Sequence, residues 1–208
     1  TFTPSQDELY PPPPEPEPAV ELVDAEHRDH DAEQPILLTL GADRPNGALC
    51  LMAVDGAEVT AAEYVLTSSD IISNYAPLHF DLSTLDYFGG ARAGTTTVII
   101  PEEYTRFPAS LAGLIEQERM TVFYTVPLAL VRLATPGILD GRDLSELRLV
   151  LFGGEPMPLK HLRAIMDKLP HAQFVNVYGP TETNGCTHYP VETIPHNGED
   201  SLPIGRPY

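Results

Sequence analysis

Residues 147–183 read LRLVLFGGEPMPLKHLRAIMDKLPHAQFVNVYGPTET. The stretch opens on an apolar run, LRLVLFGG (147–154), that reads as a strand ending in a glycine turn. LKHLRAIMDKL (159–169) follows, with Leu159, Leu162, Met166 and Leu169 forming one stripe of an amphipathic helix. QFVNVYG (173–179) is a second apolar strand. Strand, helix and strand in that order imply a parallel crossover with the helix packed on the sheet.

The same alternation runs upstream. DLSTLDYFGGARAG (81–94) has helical spacing at Leu82, Leu85 and Phe88, with Gly94 as its stop. TTTVII (95–100) is β-branched and closes at Pro101, which predicts a strand. SLAGLIEQERM (110–120) places Leu111, Leu114 and Ile115 on one helical face. TVFYTV (121–126) is a strand, and Pro127 suits the first turn of a helix over PLALVRLA. PILLTL (35–40), ALCLMAV (48–54) and AEYVLTSS (62–69) are three further expected strands. The fold class is therefore α/β: a mostly parallel sheet, buried on both faces, with flanking helices. In such a sheet the binding crevice lies outside the carboxyl ends of the strands. Those ends read LTSS, FYTVP, LFGGEP and NVYGPTET, so hydroxyls and glycines are expected to converge on one rim.

Composition narrows the function classes. The chain has 208 residues, 42% of them hydrophobic, enough for a core. No apolar run approaches the roughly 20 residues of a membrane helix, and TFTPSQDELY has no signal-peptide character. Two cysteines, Cys50 and Cys186, make no disulfide framework, so a reducing cytoplasm is expected. A formal charge of −18 excludes a nucleic-acid partner, since phosphates would be repelled. Much of that charge is local: residues 1–50 carry eleven acids against Arg28 and Arg44. YPPPPEPEP (10–18) suits extended polyproline, and residues 1–34 read as an acidic, proline-rich leader before a core over 35–208. His27 and His30, in EHRDHD, read as part of that solvated leader rather than as metal ligands.

The chemistry concentrates at two strand ends. In LFGGEPMP, Gly153 and Gly154 allow close approach of backbone, for a ligand or for a tight turn. In NVYGPTET, the Gly179–Pro180 turn displays Thr181 and Thr183, with hydroxyls able to bond a phosphate. Glu182 is a hard oxygen ligand suited to Mg²⁺. Tyr178 can stack on a planar base. An N-cap would explain Thr181 or Thr183 but not the whole set.

These strings, together with HFDLSTLDYF (79–88), resemble the amino-acid adenylation domains of nonribosomal peptide synthetases, which are adenylate-forming acyl ligases. The resemblance runs over about 62–208. It implies use of ATP and Mg²⁺ and transfer of an aminoacyl group to a carrier protein's phosphopantetheine thiol. It implies that Asp81 pairs with the substrate α-amino group, and that Gly154, Glu155 and Pro156 line adenine. Tyr178 would stack on the base, Asn176 and Gly179 would support its site, Thr181 would touch the α-phosphate and Glu182 would bind the metal. The implied side-chain pocket comprises Asp81, Leu82, Leu85, Tyr124, Leu151, Gly153, Val177, Gly185 and Cys186. Its first five positions, DLLYL, resemble proline-activating domains, and YGPTETN-C-T is similar to stand-alone ligases that load carriers. The small Gly153, Val177 and Gly185 imply spare volume, hence an apolar or cyclic side chain, larger or more branched than usual.

The pattern also breaks. The family carries a glycine- and lysine-rich phosphate loop of the form TSGSTG-PKG; here YVLTSS begins it and DIISNYAPLHFD follows at once. The ribose-binding aspartate and the catalytic lysine of the family's C-terminal part are expected beyond LPIGRPY. The alternative reading is a degenerate, non-catalytic adenylation-like module that serves as an interaction or scaffold surface.

Overall fold

The computed structural model describes residues 59–194 and 201–208, all within the second of the chain's two units, Leu37–Tyr208. The leader, His27 and His30, and the strands expected at 35–40 and 48–54 lie outside the described residues.

Among the described residues, seven strands form one sheet: β1 (Ile71–Asn74), β2 (Thr96–Ile99), β3 (Val122–Thr125), β4 (Leu149–Gly153), β5 (Gln173–Tyr178), β6 (Thr187–Pro190) and β7 (Arg206–Pro207). Their spatial order is β2-β1-β3-β4-β5-β6-β7. The first five are parallel, and β6 and β7 return antiparallel. The helices are α1 (Gly90–Ala93), α2 (Glu102–Arg106), α3 (Pro108–Gln117), α4 (Pro127–Leu133) and α5 (Leu159–Lys168). A π-helical turn, Leu85–Gly89, leads into α1, and Gly94 ends α1 in the left-handed conformation at φ 72°. Pro127 takes the first turn of α4.

Strand periodicity divides the core in two. Phe123, Val150, Phe152 and Phe174 point to one face, where Leu111, Leu130, Leu162 and Ile165 of α3, α4 and α5 cover them. Ile72, Val122, Tyr124, Leu149, Leu151, Val175 and Val177 point to the other, against Ala61, Tyr64, Leu82 and Leu85. Burial on both faces is what the near-continuous apolar strand sequences required.

AEYVLTSS departs from expectation. Residues 59–63 are helical, and 62–69 form no strand. The reason is chain length. Parallel neighbours need a crossover of about a dozen residues and antiparallel ones a two-residue hairpin, and only Asp70 separates this segment from β1. The chain instead turns tightly into β1, with the Thr67 amide donating to Asp70 Oδ2 at 2.9 Å.

That turn is anchored at the amino ends of the strands. Asp70, 4% exposed, accepts from Thr121 Oγ1 at 2.7 Å and from Arg148 Nε and Nη2, both at 2.8 Å. Burial alone would raise the Asp70 carboxyl; the bonds from Arg148, Thr121 and the Thr67 amide outweigh it and hold the group well below the carboxylate range. Arg148 also reaches the Val65 carbonyl at 3.3 Å. LTSS therefore does not join the carboxyl-end rim. It lies a full strand length away, at the opposite end of the sheet.

Candidate functional site

The other three strand ends do meet. Gly153 of β4 pairs with Val177 of β5. A Cβ on Gly153 would stand 2.3 Å from the Val177 carbonyl oxygen, so glycine lets the two strand ends approach. Gly154 then turns the chain outward at φ +91° with open space around it. Glu155 and Pro156 follow, exposed on the rim.

Beside them β5 ends at Tyr178, whose ring is 48% exposed. The following residues fold back as a compact turn rather than starting a helix, so no N-cap role arises for Thr181 or Thr183. The Cys186 amide donates to the Tyr178 carbonyl at 2.9 Å and the Thr183 amide to Pro180 at 3.1 Å. Gly179 sits so close to the returning chain that a Cβ would fall 1.6 Å from the Asn184 carbonyl oxygen. Among the described residues, the side chains of Glu155, Thr181 and Glu182 take no partner and are exposed. The turn thus presents a hydroxyl and a carboxylate beside an aromatic face.

Asn184 ties this turn to the Asp81 segment. It adopts a left-handed φ of 57° and is buried. Its Oδ1 accepts from the Gly185 amide at 2.7 Å, and its Nδ2 donates to Thr84 Oγ1. The Thr84 hydroxyl in turn donates to the Asp81 carbonyl at 2.7 Å. Asp81, half-buried, accepts from the Leu82 amide at 3.0 Å. Two motifs a hundred residues apart are locked together by one amide side chain. Neither Asn184 nor Thr84 was singled out from sequence; the left-handed preference of asparagine in TETNG was the available signal.

The residues implied for the side-chain pocket also gather. Leu82, Leu85, Tyr124, Leu151 and Val177 belong to one buried cluster, with Gly185 and the half-buried Cys186 at its edge. Burial foremost, then the neighbouring Tyr208, Asp86 and Asp81, pushes the Tyr124 phenol far up. Tyr208 packs against this cluster and approaches Gly185, where a Cβ would stand 3.6 Å from its Cε2. Asn176 uses its amide to bind the Pro203 carbonyl at 2.9 Å, which fastens residues 201–208 beside β5.

Asp86 is a further acid that sequence reading passed over. It is 1% exposed; Oδ2 accepts from Asn74 Nδ2 at 3.1 Å, while Oδ1 has no partner among the described residues. Burial raises its carboxyl well above the usual range against the opposing Asn74 bond. The π-helical turn carries it inward.

The residues present fit one end of a nucleotide better than the other. Tyr178, the Gly154–Pro156 turn, Thr181 and Glu182 share a rim suited to an adenosine monophosphate and a divalent cation. Among the described residues, the TSS residues that would begin a triphosphate cradle lie at the far end of the sheet, and the Thr67 amide donates to the Asp70 carboxylate.

Residues 47–208 match the family described as "AMP-binding enzyme". The chain is 37% identical over 142 residues to an L-proline--[L-prolyl-carrier protein] ligase of Pseudomonas fluorescens, covering 68% of this chain and 28% of that protein. It is 39% identical over 139 residues to a ligase of the same description from Streptomyces coelicolor, covering 66% of this chain and 26% of the relative. The chain thus spans little more than a quarter of the length of these relatives. Its fold matches the solved nonribosomal peptide synthetase FmoA3 (S1046A) in its AMPPNP-bound form, with TM-score 0.68, 29% identity, and coverage of 74% of this chain and 17% of that one. With the adenylation motifs on one rim of a mostly parallel sheet, the chain belongs to the AMP-binding enzyme family, among the amino-acid adenylation domains.

Proposed function

We propose that this chain is the amino-acid- and adenylate-binding part of a ligase that activates a compact apolar or cyclic amino acid as its aminoacyl-AMP and loads it onto a carrier protein's phosphopantetheine arm. The observation that carries the reading is the Asn184–Thr84 bond, which joins the Asp81 segment to the turn bearing Thr181 and Glu182. In this reading Asp81 pairs with the substrate ammonium by a charge-assisted contact. Leu82, Leu85, Tyr124, Leu151, Gly153, Val177, Gly185 and Cys186 enclose the side chain. Gly154, Glu155, Pro156, Asn176, Tyr178 and Gly179 surround adenine, and Thr181 donates to the α-phosphate. Glu182 holds Mg²⁺, which when bound neutralises phosphate charge.

A second reading is favoured by the LTSS turn: a degenerate, non-catalytic module of this family that serves as an interaction or scaffold surface and binds no nucleotide. Calorimetry separates the two. AMP with Mg²⁺ should bind the wild-type chain, and Glu182→Ala should abolish the metal dependence while leaving the fold intact. Amino-acid-dependent exchange of pyrophosphate into ATP then divides ligase from module. Absence of Mg²⁺-dependent AMP binding in the wild type would refute the ligase reading and leave the interaction module standing.

A further inference from the structure

Gly185 borders the cluster assigned above to the substrate side chain, and Tyr208 approaches it from elsewhere in the chain. A Cβ at Gly185 would meet Val177 Cγ1 at 3.0 Å and Tyr208 Cε2 at 3.6 Å. Tyr208 directly follows β7, and its amide donates to the Cys186 carbonyl at 3.3 Å. Its ring packs on the cluster that contains Leu82, Leu85, Tyr124, Leu151 and Val177.

The ring is also backed rigidly. It stacks on His188 with centroids 4.4 Å apart and planes 15° apart. His188 is 1% exposed, its Nδ1 shares a hydrogen bond with the Tyr64 hydroxyl at 2.5 Å, and Arg206 Nε reaches its Nε2 at 3.3 Å. Tyr64 lies in the same buried cluster as the pocket residues. An aromatic ring pressed between a pocket and a second, immobilised ring acts as a fixed wall rather than a gate.

We propose that Tyr208 is a specificity-determining residue of the amino-acid pocket, supplying the bulk that Gly185 lacks so that compact, proline-sized apolar side chains enter and long or aromatic ones do not. The inference rests on the adenylating-ligase reading above, and it narrows the substrate class within it. A site with glycine at one wall and tyrosine behind it is shaped by the tyrosine, so residue 208 and not residue 185 sets the depth.

The test is ligand-observed NMR on the 208-residue chain with proline, alanine, leucine and phenylalanine, for wild type, Tyr208→Phe, Tyr208→Leu and Tyr208→Ala. Circular dichroism checks the fold of each variant, and the leucine variant keeps the series informative if the alanine variant unfolds. Wild type and Tyr208→Phe should bind proline at least about tenfold more tightly than leucine or phenylalanine, the size discrimination an apolar wall can provide. Tyr208→Ala, and to a lesser extent Tyr208→Leu, should lose that preference. An unchanged ranking in both folded variants overturns the role of Tyr208 and leaves the ligase reading standing. Wild type that takes phenylalanine as well as proline also overturns it. No amino-acid binding by the wild type, with AMP binding intact, overturns the pocket assignment while sparing the nucleotide rim.

Discussion

Replacing Asp70 by asparagine should loosen the whole amino-end seam of the sheet. The carboxylate is 4% exposed and accepts five hydrogen bonds: two from Arg148 and two from Thr67, with the fifth from Thr121. Removing one partner of a buried ion pair costs about 3–5 kcal/mol. The Arg148 side chain is 42% exposed, so water takes over part of its solvation and the expected loss falls to about 2–3 kcal/mol. At a urea slope of about 2 kcal/mol per molar, that lowers the unfolding midpoint by about 1 M. The pH dependence supplies an independent reading. Asp70 is held below its ordinary value of 3.8, so the unfolded chain binds the extra proton. Its contribution is complete above 3.8 and disappears as pH falls through the lower native value, and the asparagine variant should lack that part of the acid slope. A double cycle with Arg148→Ala isolates the pair. A midpoint shift below about 0.2 M in urea would refute the reasoning, because the seam would then carry no more than an ordinary surface pair.

Three further outcomes are expected. Gly179→Ala forces a Cβ to within 1.6 Å of the Asn184 carbonyl oxygen, so it should cost more than about 3 kcal/mol and abolish AMP binding, measured by urea unfolding and calorimetry. Tyr178→Ala removes a ring 48% exposed, so stability should change by less than about 0.5 kcal/mol while adenine nucleotides bind more weakly. His188 is lowered from 6.5 by burial foremost, so the unfolded chain binds more protons; stability should fall as pH drops below about 6.5, and His188→Phe should flatten that slope in a melting series.

The parallel centre of the sheet was legible because β3, β4 and β5 are buried on both faces and announce themselves as apolar runs with glycine or proline at their ends. β1 was not: IISN is four residues long and follows an acid and three hydroxyl-bearing residues, so its context resembled a loop. β6 and β7 are THYP and RP, short and proline-containing, and exist as strands because β5 offers them an edge. The strand expected over 62–69 failed on connection length, which local propensity does not register. At the site, the turns in YGPTET and LFGGEP could be placed beside each other because they end two neighbouring parallel strands. Asn184, Asp86 and Tyr208 could not, since their roles depend on a left-handed turn, a π-helical turn and a long-range ring stack.

Residues 201–208 are gripped in the manner of a docked peptide. Asn176 holds the Pro203 carbonyl, Thr187 Oγ1 donates to the Ile204 carbonyl at 2.7 Å, and Arg206 pairs with Glu63 at 3.2 Å. Gly205, at φ +86°, passes so near His188 that only a bare backbone fits. The segment is thus held mainly by its backbone, with Arg206 adding a side-chain pair, through contacts that do not depend on how it is covalently attached. An octapeptide of the same sequence offered in solution would be a competitor for those contacts, and displacing the tethered copy would lift the ring of Tyr208 from the cluster of Leu82, Leu85 and Tyr124.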